Sequence, residues 1–279
     1  MLSYQHEYHA GNHADVLKHS VLALLIRALQ RKPKPMRVLD THAGSGTYDL
    51  GSPEAQRGRE FERGIARVLE ERPVPPELAA YIQIVDACNR GDALETYPGS
   101  PRIARALLRE TDRLELFELH PKAHAALESA FRRDRQVHVH RRDGFEGVLA
   151  VVPPPERRGL VLIDPSYETD DDFARVLDVV PALHRRWTNG VIAVWYPLLR
   201  RPQAAAFARR LCALDLPRFY RVELEVEPAG GFGLLGSGLA IANLPYGVDA
   251  ELETLLPWLH RRLAVDGAGG FRARWLTAP

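Results

Sequence analysis

Short apolar runs recur along the chain, separated by longer stretches in which apolar positions return every three or four residues. Residues 36–40, 114–118, 137–141 and 160–164 read as strands, followed by 191–196, 220–226 and 239–243. The run 160–163 is apolar at every position and ends in Asp-Pro, the pattern of a central strand covered on both faces. Residues 14–30, 121–133 and 173–187 carry the helical period. Strands alternating with helices predict an α/β class: a doubly wound, seven-stranded, mostly parallel sheet with right-handed crossovers. One interval breaks the alternation. Gly46 and Glu118 stand 72 positions apart, where a strand-helix-strand unit needs about 30. The excess, residues 52–97, reads as helical over 60–72 and 76–90, so one domain over 1–279 with a small helical insertion is expected.

Four strand ends carry the chemistry. The first runs into Asp40-Thr41-His42-Ala43-Gly44-Ser45-Gly46, a glycine-rich turn that lets a ligand approach the backbone at the carboxyl end of a strand. The second ends in Glu118, where a carboxylate can bond both hydroxyls of a ribose, and the third is followed by Asp143-Gly144, an acceptor for an adenine amino group. Taken singly, these are an ordinary turn, a strand-end cap and an Asp-Gly turn. Together they disfavour a phosphate in the crevice and favour adenosine joined to something other than pyrophosphate, for which S-adenosylmethionine qualifies. The fourth strand ends in Asp164-Pro165-Ser166-Tyr167. An exocyclic amine is a weak nucleophile because its lone pair is delocalised into the ring. The Asp164 carboxylate and the Pro165 carbonyl would draw its N–H groups and localise that pair, leaving positioning and electrostatics to carry the rate. An ordinary Asp, with a pKa of about 3.9, suffices for this. Tyr167 would offer a face for the target base.

Composition adds limits. With 37 basic and 36 acidic side chains there is no global field for polyanions, so any nucleic-acid contact must be local. The densest basic run is Arg132, Arg133, Arg135, Arg141 and Arg142, with doublets at Arg157/Arg158, Arg185/Arg186, Arg200/Arg201 and Arg209/Arg210. In the insertion, Arg57, Arg59, Arg63 and Arg67 are candidates for nucleic-acid contact. Cys88 and Cys212 match no metal or redox spacing. His6, His9, His13 and His19 lack a Cys partner or a zinc-protease pattern, so no metal is expected. No signal pattern opens the chain and the apolar run 21–26 is too short for a bilayer, so a cytoplasmic monomer without membrane contact is expected. Trp195-Tyr196 is placed either in a base pocket or in the core, and residues 230–238 read as a hairpin loop near the substrate.

The tetrad at 164–167 resembles the Asp-Pro-Pro-aromatic signature of the adenine-N6 methyltransferases. The opening from Leu2 through Tyr4, His6, His9, His13 and Lys18 to His19, the segment 39–44 and Tyr97-Pro98-Gly99-Ser100-Pro101 are similar to the RlmJ family of bacterial 23S rRNA adenine-N6 methyltransferases. This resemblance spans essentially the whole chain. It implies a Rossmann-like methyltransferase fold and cofactor contacts at His19, His42, Ser100, Glu118, Asp143, Gly144 and Asp164. It further implies catalysis by Asp164 with Pro165 and Tyr167, and a substrate contact at Tyr4. Ser166 replaces the signature's second proline, which loosens the loop but removes no acceptor. The competing readings are methylation of DNA adenine or of a protein glutamine, and a non-catalytic RNA-binding protein on the same fold. Compact size speaks against the DNA enzyme and the intact Asp164 against the last.

Overall fold

The computed structural model describes residues 5–89, 91, 93–228 and 233–278. After a 3-10 turn (His6–Tyr8), helix α1 (His13–Gln30) leads into β1 (Arg37–Asp40) and a short strand β2 (Thr47–Asp49). Next come α2 (Pro53–Gly58), a 3-10 turn (Glu60–Arg63), α3 (Ile65–Leu69), α4 (Pro76–Ala87) and β3 (Thr96–Pro98). The alternation resumes with α5 (Ser100–Leu107), β4 (Arg113–Phe117), α6 (Pro121–Phe131), β5 (Val137–His140) and α7 (Gly144–Val151). It continues with β6 (Gly159–Ile163), α8 (Asp170–Arg186), β7 (Val191–Leu199) and α9 (Pro202–Cys212). Strands β8 (Tyr220–Glu225) and β9 (Leu234–Ala242), helix α10 (Val248–Leu263) and strand β10 (Gly270–Trp275) follow.

The main sheet has eight strands in the order β10-β8-β9-β7-β6-β1-β4-β5. Strands β5, β4, β1, β6 and β7 are parallel, and β9, β8 and β10 extend the sheet in antiparallel fashion. The alternating pattern predicts seven strands. The eighth, β10, is an edge strand in which Phe271, Ala273 and Trp275 alternate with Arg272 and Arg274, with Ala273 and Trp275 packed against the core; the seven-strand expectation leaves this alternation out. Strands β2 and β3 pair with each other outside the main sheet. The predicted loop at 230–238 is shorter than the glycines suggest, because Gly236–Gly238 lie buried inside β9; residues 229–232 are outside the described residues.

Strict alternation builds two cores. Val38, Leu160, Leu162 and Ala193 face one, shared with α1, α4, α5 and α10, while Leu39, Val161, Ile163 and Val194 face the other, shared with α7, α8 and α9. Residues of the 52–97 segment, including Phe61, Ile65, Leu78, Tyr81 and Val85, belong to the first core. The helical run expected over 60–72 breaks at Gly64, whose Cβ would lie 2.1 Å from the Gly11 carbonyl oxygen. The turn is pressed against the entry to α1, and no side chain fits there.

Helix ends follow local rules. Asn12 caps α1 by accepting from the amides of Ala14 and Asp15, both at 2.9 Å. Five helices carry Pro in the first or second position, where its missing N–H costs nothing. Asp170, Asp171 and Asp172 open α8 while His184, Arg185 and Arg186 close it, matching the helix dipole. Because β1, β4 and β5 lie to one side and β6 and β7 to the other, the chain reverses its direction of growth at the β1/β6 boundary. A crevice at the carboxyl ends of the strands opens there.

Candidate active site

The carboxyl-end loops are laced to one another. The Thr41 amide and hydroxyl both donate to the Leu162 carbonyl, joining the β1 turn to the end of β6. The Ala43 amide donates to the Phe117 carbonyl and the Gly44 amide to Glu118 Oε2 at 2.8 Å, joining the same turn to β4. A Cβ on Gly144 would stand 1.8 Å from the Thr41 carbonyl oxygen, so only glycine lets α7 begin against the β1 turn. These loops enclose a cavity of about 1060 Å³, lined among others by His19, His42, Ser100, Glu118, Asp143, Gly144, Asp164, Pro165 and Tyr167.

Each expected residue other than Tyr4 has a definite place. Glu118 Oε1 accepts from the His120 amide at 2.7 Å, so both of its oxygens hold backbone while still facing the cavity. Asp143 caps α7 through the Glu146 amide and accepts from Arg175 Nη2 at 2.7 Å. Burial works to raise the Asp143 carboxyl, but Arg175 and the amide outweigh it and hold it below the usual range. Ser100 donates its hydroxyl to Asp40 Oδ2 at 2.6 Å. Asp40 is buried, and burial, with the nearby Asp164 charge adding to it, pushes its carboxyl up to about 6 despite that bond. His42 packs edge-on against Phe145 and its Nδ1 lies 2.8 Å from the Thr41 hydroxyl; burial drops it to about 4. His19 Nδ1 lies 2.7 Å from the Tyr97 hydroxyl, which meets the Tyr81 hydroxyl at 2.8 Å. Burial takes His19 down to about 3, so it is a neutral imidazole, and its Nε2 is buried with no hydrogen-bond partner.

Lys18 is absent from the functional residues that sequence reasoning selects. Its Nζ donates to Asp164 Oδ2 at 2.6 Å and lies 2.8 Å from Asp15 Oδ1. Asp15 Oδ2 in turn accepts from His6 Nε2 and from the Gly11 amide, both at 2.9 Å. The four side chains form a continuous polar line from the N-terminal turn to the end of β6. Burial works against the Lys18 charge, but the two carboxylates overcome it and hold the ammonium well above its ordinary value. Burial raises the Asp164 carboxyl above the ordinary range, with Lys18 opposing it. The chemistry expected of Asp164 needs no such shift, and the structure adds one. Both line the cavity, and the side chain of Asp164 keeps 12% of its exposure against 5% for Lys18, so the carboxylate is the more open member of the pair.

Tyr167 also departs from expectation. Its ring is only 3% exposed and packs among Phe173, Trp195 and Phe207, so it offers no open face to a base. Its backbone is left-handed, with φ of 53°, an unusual conformation for an aromatic residue, and its hydroxyl donates to the Trp195 carbonyl at 2.6 Å. The apolar surroundings of the loop bury the ring while the turn aims Asp164 and Pro165 at the cavity. Trp195 lines the cavity beside Lys18, whose Nζ is 5.6 Å from its ring centroid, whereas Tyr196 points into the core and bonds Glu223. Tyr4 lies outside the described residues.

Glu118, Asp143 and Asp164 line one cavity, with Asp40 behind the lining residue Ser100, an electrostatic setting that repels phosphate and suits a ligand bearing positive charge. The orphaned Nε2 of His19 is a polar atom awaiting a partner. This donor set fits an adenosine attached to a cationic group.

Residues 33–277 match the family described as "Ribosomal RNA large subunit methyltransferase D, RlmJ". A "Ribosomal RNA large subunit methyltransferase J" of Escherichia coli (strain K12) is 44% identical over 278 residues, covering 99% of each chain. A protein of the same name from Haemophilus influenzae is 40% identical over 279 residues, again covering 99% of each. The crystal structure of protein LPL1258 from Legionella pneumophila superposes with a TM-score of 0.87 at 34% identity, covering 96% of this chain and 97% of that one.

Proposed function

The chain belongs to the RlmJ family of ribosomal RNA large-subunit methyltransferases, and on that premise we propose that it methylates N6 of an adenine in 23S ribosomal RNA from S-adenosylmethionine. The observation that carries this reading is the Asp164 carboxylate, held by Lys18 at the carboxyl end of β6 and facing the cavity that also gathers His19, Glu118 and Asp143. A volume of about 1060 Å³ lies just above the range for small-molecule sites, enough for a nucleoside cofactor and an inserted base together.

We assign Glu118 to the cofactor ribose, Asp143 and Gly144 to its adenine, and His19, with His42 and the Asp40–Ser100 pair, to the amino-acid end. Bound there, the cofactor supplies an electrophilic methyl group on a sulfonium. Lys18 occupies Oδ2 of Asp164, leaving Oδ1 to accept one N–H of the target amine while the Pro165 carbonyl accepts the other. These two bonds localise the nitrogen lone pair and orient it. The raised proton affinity of Asp164 suits Oδ1 to receive the proton that the methylated amine must lose. His19 and His42, neutral through burial, add no positive charge to a pocket that receives a cation.

The test is transfer of labelled methyl from S-adenosylmethionine to unmodified 23S rRNA transcript, with duplex DNA and a glutamine-bearing peptide as parallel acceptors. Label recovered as N6-methyladenosine from the RNA is expected. Label on DNA or peptide alone, or none on any acceptor with cofactor bound, would overturn the reading.

A further inference from the structure

The chain is rich in arginine yet nearly neutral, so attraction to an RNA backbone depends on where individual cations stand. Topology sorts the basic doublets. Helices α6, α8 and α9 run back from the carboxyl ends of the strands, which carries Arg132/Arg133, Arg185/Arg186 and Arg209/Arg210 to the far end of the sheet. Arg157/Arg158 precede β6 and lie at that end too, where Arg158 bonds the Leu29 carbonyl. The most basic stretch of the sequence thus begins away from the cavity. Arg200/Arg201 follow β7 and emerge at the cavity end.

Among the cations that line the cavity, Lys18 and Arg175 are bound to carboxylates, and Lys122 opens α6 beside Glu118, on the cofactor side. Arg63 and Arg201 remain. Both are exposed, both line the cavity, and neither makes an ion pair or a side-chain hydrogen bond among the described residues. Arg63 belongs to the layer of α1 and α10, next to the turn held against the start of α1, whereas Arg201 precedes α9 in the opposite layer. They approach the mouth from the two faces of the sheet, with Asp164 between them at the end of β6. Glu168 and Glu227 stand on the same rim and disfavour a phosphate elsewhere along it.

Resting on the function proposed above, we infer that Arg63 and Arg201 form a phosphate clamp that holds the RNA backbone on either side of the target nucleotide. A guanidinium at each flank suits a phosphodiester through paired N–H donors. An adenine can then enter the cavity only from a strand drawn across the mouth, as chemistry on a base removed from its stack requires.

The experiment measures binding of the wild type, Arg63→Gln, Arg201→Gln and the double variant to 23S rRNA transcript as a function of salt. Arg132→Gln/Arg133→Gln serves as a remote control, and cofactor affinity is followed by calorimetry. Each single variant should weaken RNA binding about fivefold and lower the slope of log affinity against log salt by about 1. The double variant should show both losses, raising KM for RNA with cofactor affinity unchanged and the control matching the wild type. A wild type that methylates the transcript alongside a double variant of equal affinity and slope overturns the clamp alone, as does a control that loses as much. A wild type that transfers no methyl to the transcript overturns the underlying reading and the clamp with it.

Discussion

Asp164 and Glu115 sit on strands separated in the sheet only by β1, yet they are kept in opposite states. Glu115 lies on the face of β4 shared with α7 and receives Arg37 Nη1 at 2.5 Å, His138 Nδ1 at 3.0 Å and His140 Nε2 at 2.7 Å. Burial works to raise it, but the two histidines and the arginine prevail and hold its carboxyl below the usual range. Asp164 receives one ammonium on one oxygen, and burial leaves its carboxyl raised. Donors on both oxygens make the Glu115 carboxylate a structural bolt. A donor on one oxygen alone leaves Asp164 an acceptor open to the cavity, at some cost in stability. Asp40, lifted to about 6 beside it, belongs with Asp164.

The contrast is broken or sharpened most strongly by exchanging the two losses. Asp164→Ala should lower methyl transfer about 100- to 1000-fold, the scale for removing a preorganised electrostatic group, with cofactor affinity and melting little changed. Glu115→Gln should keep the transfer rate and cost about 2–3 kcal/mol, under the 3–5 typical of a broken buried pair, because His138 and His140 keep 54% and 37% exposure. Rate assays and denaturant titrations on both variants decide it, and equal rate losses would erase the distinction. Lys18→Met should fall between them, and its acid limb of activity should move to higher pH, because the charge that chiefly opposes the burial of Asp164 is then gone.

The second effect concerns stability against pH. His13, His19 and His42 are pressed to about 4, 3 and 4 by burial, below the 6.5 of the unfolded chain. The unfolded state therefore binds protons first, and stability present above pH 6.5 is lost as pH falls below it. Each histidine should cost about 2 kcal/mol by pH 5. Asp40 works in reverse: its folded pKa of about 6 exceeds the 3.8 reference, so its penalty is full above pH 6 and absent below 3.8. Denaturation midpoints from pH 8 to 5 should fall in the wild type and fall less in His42→Gln. A flat profile would mean that the imidazoles are already hydrated. The smallest effect is expected for Tyr167→Phe, which removes the bond to the Trp195 carbonyl and should cost about 1 kcal/mol with transfer nearly intact. A large loss of transfer in that variant would mean that the hydroxyl touches substrate.

Much of this arrangement is legible along the chain because strand ends announce themselves. An apolar run closing on Asp-Pro, a glycine-rich turn after Asp40 and an acidic residue after two further runs are local patterns, and the β1, β4, β5 and β6 ends collect them. Lys18 is not legible in that way, since its partner Asp164 is 146 residues distant. A signal did exist: Asp15, Lys18 and His19 are polar residues in a mostly apolar helix that is buried nearly throughout. Three polar groups that expensive to bury imply partners across the core. Tyr167 misleads for the converse reason, because an aromatic closing an Asp-Pro-Ser-Tyr tetrad reads as a stacking surface until Phe173 and Phe207, from later elements, close over it.

Helix α1 has a consequence for how the chain is made. It leaves the ribosome early, yet it packs on β9 and α10 near the other terminus as well as on α4 and α5. At about 5–20 residues per second, synthesis from the end of α1 to the end of α10 occupies roughly 10–50 s. Throughout that interval the apolar flank of α1 has no final cover, and Lys18 has no Asp164 until β6 is complete. A nascent chain is thus incapable of catalysis until almost its whole length exists. Truncated products should be aggregation-prone rather than partly active, which makes this helix the first place for a chaperone to bind.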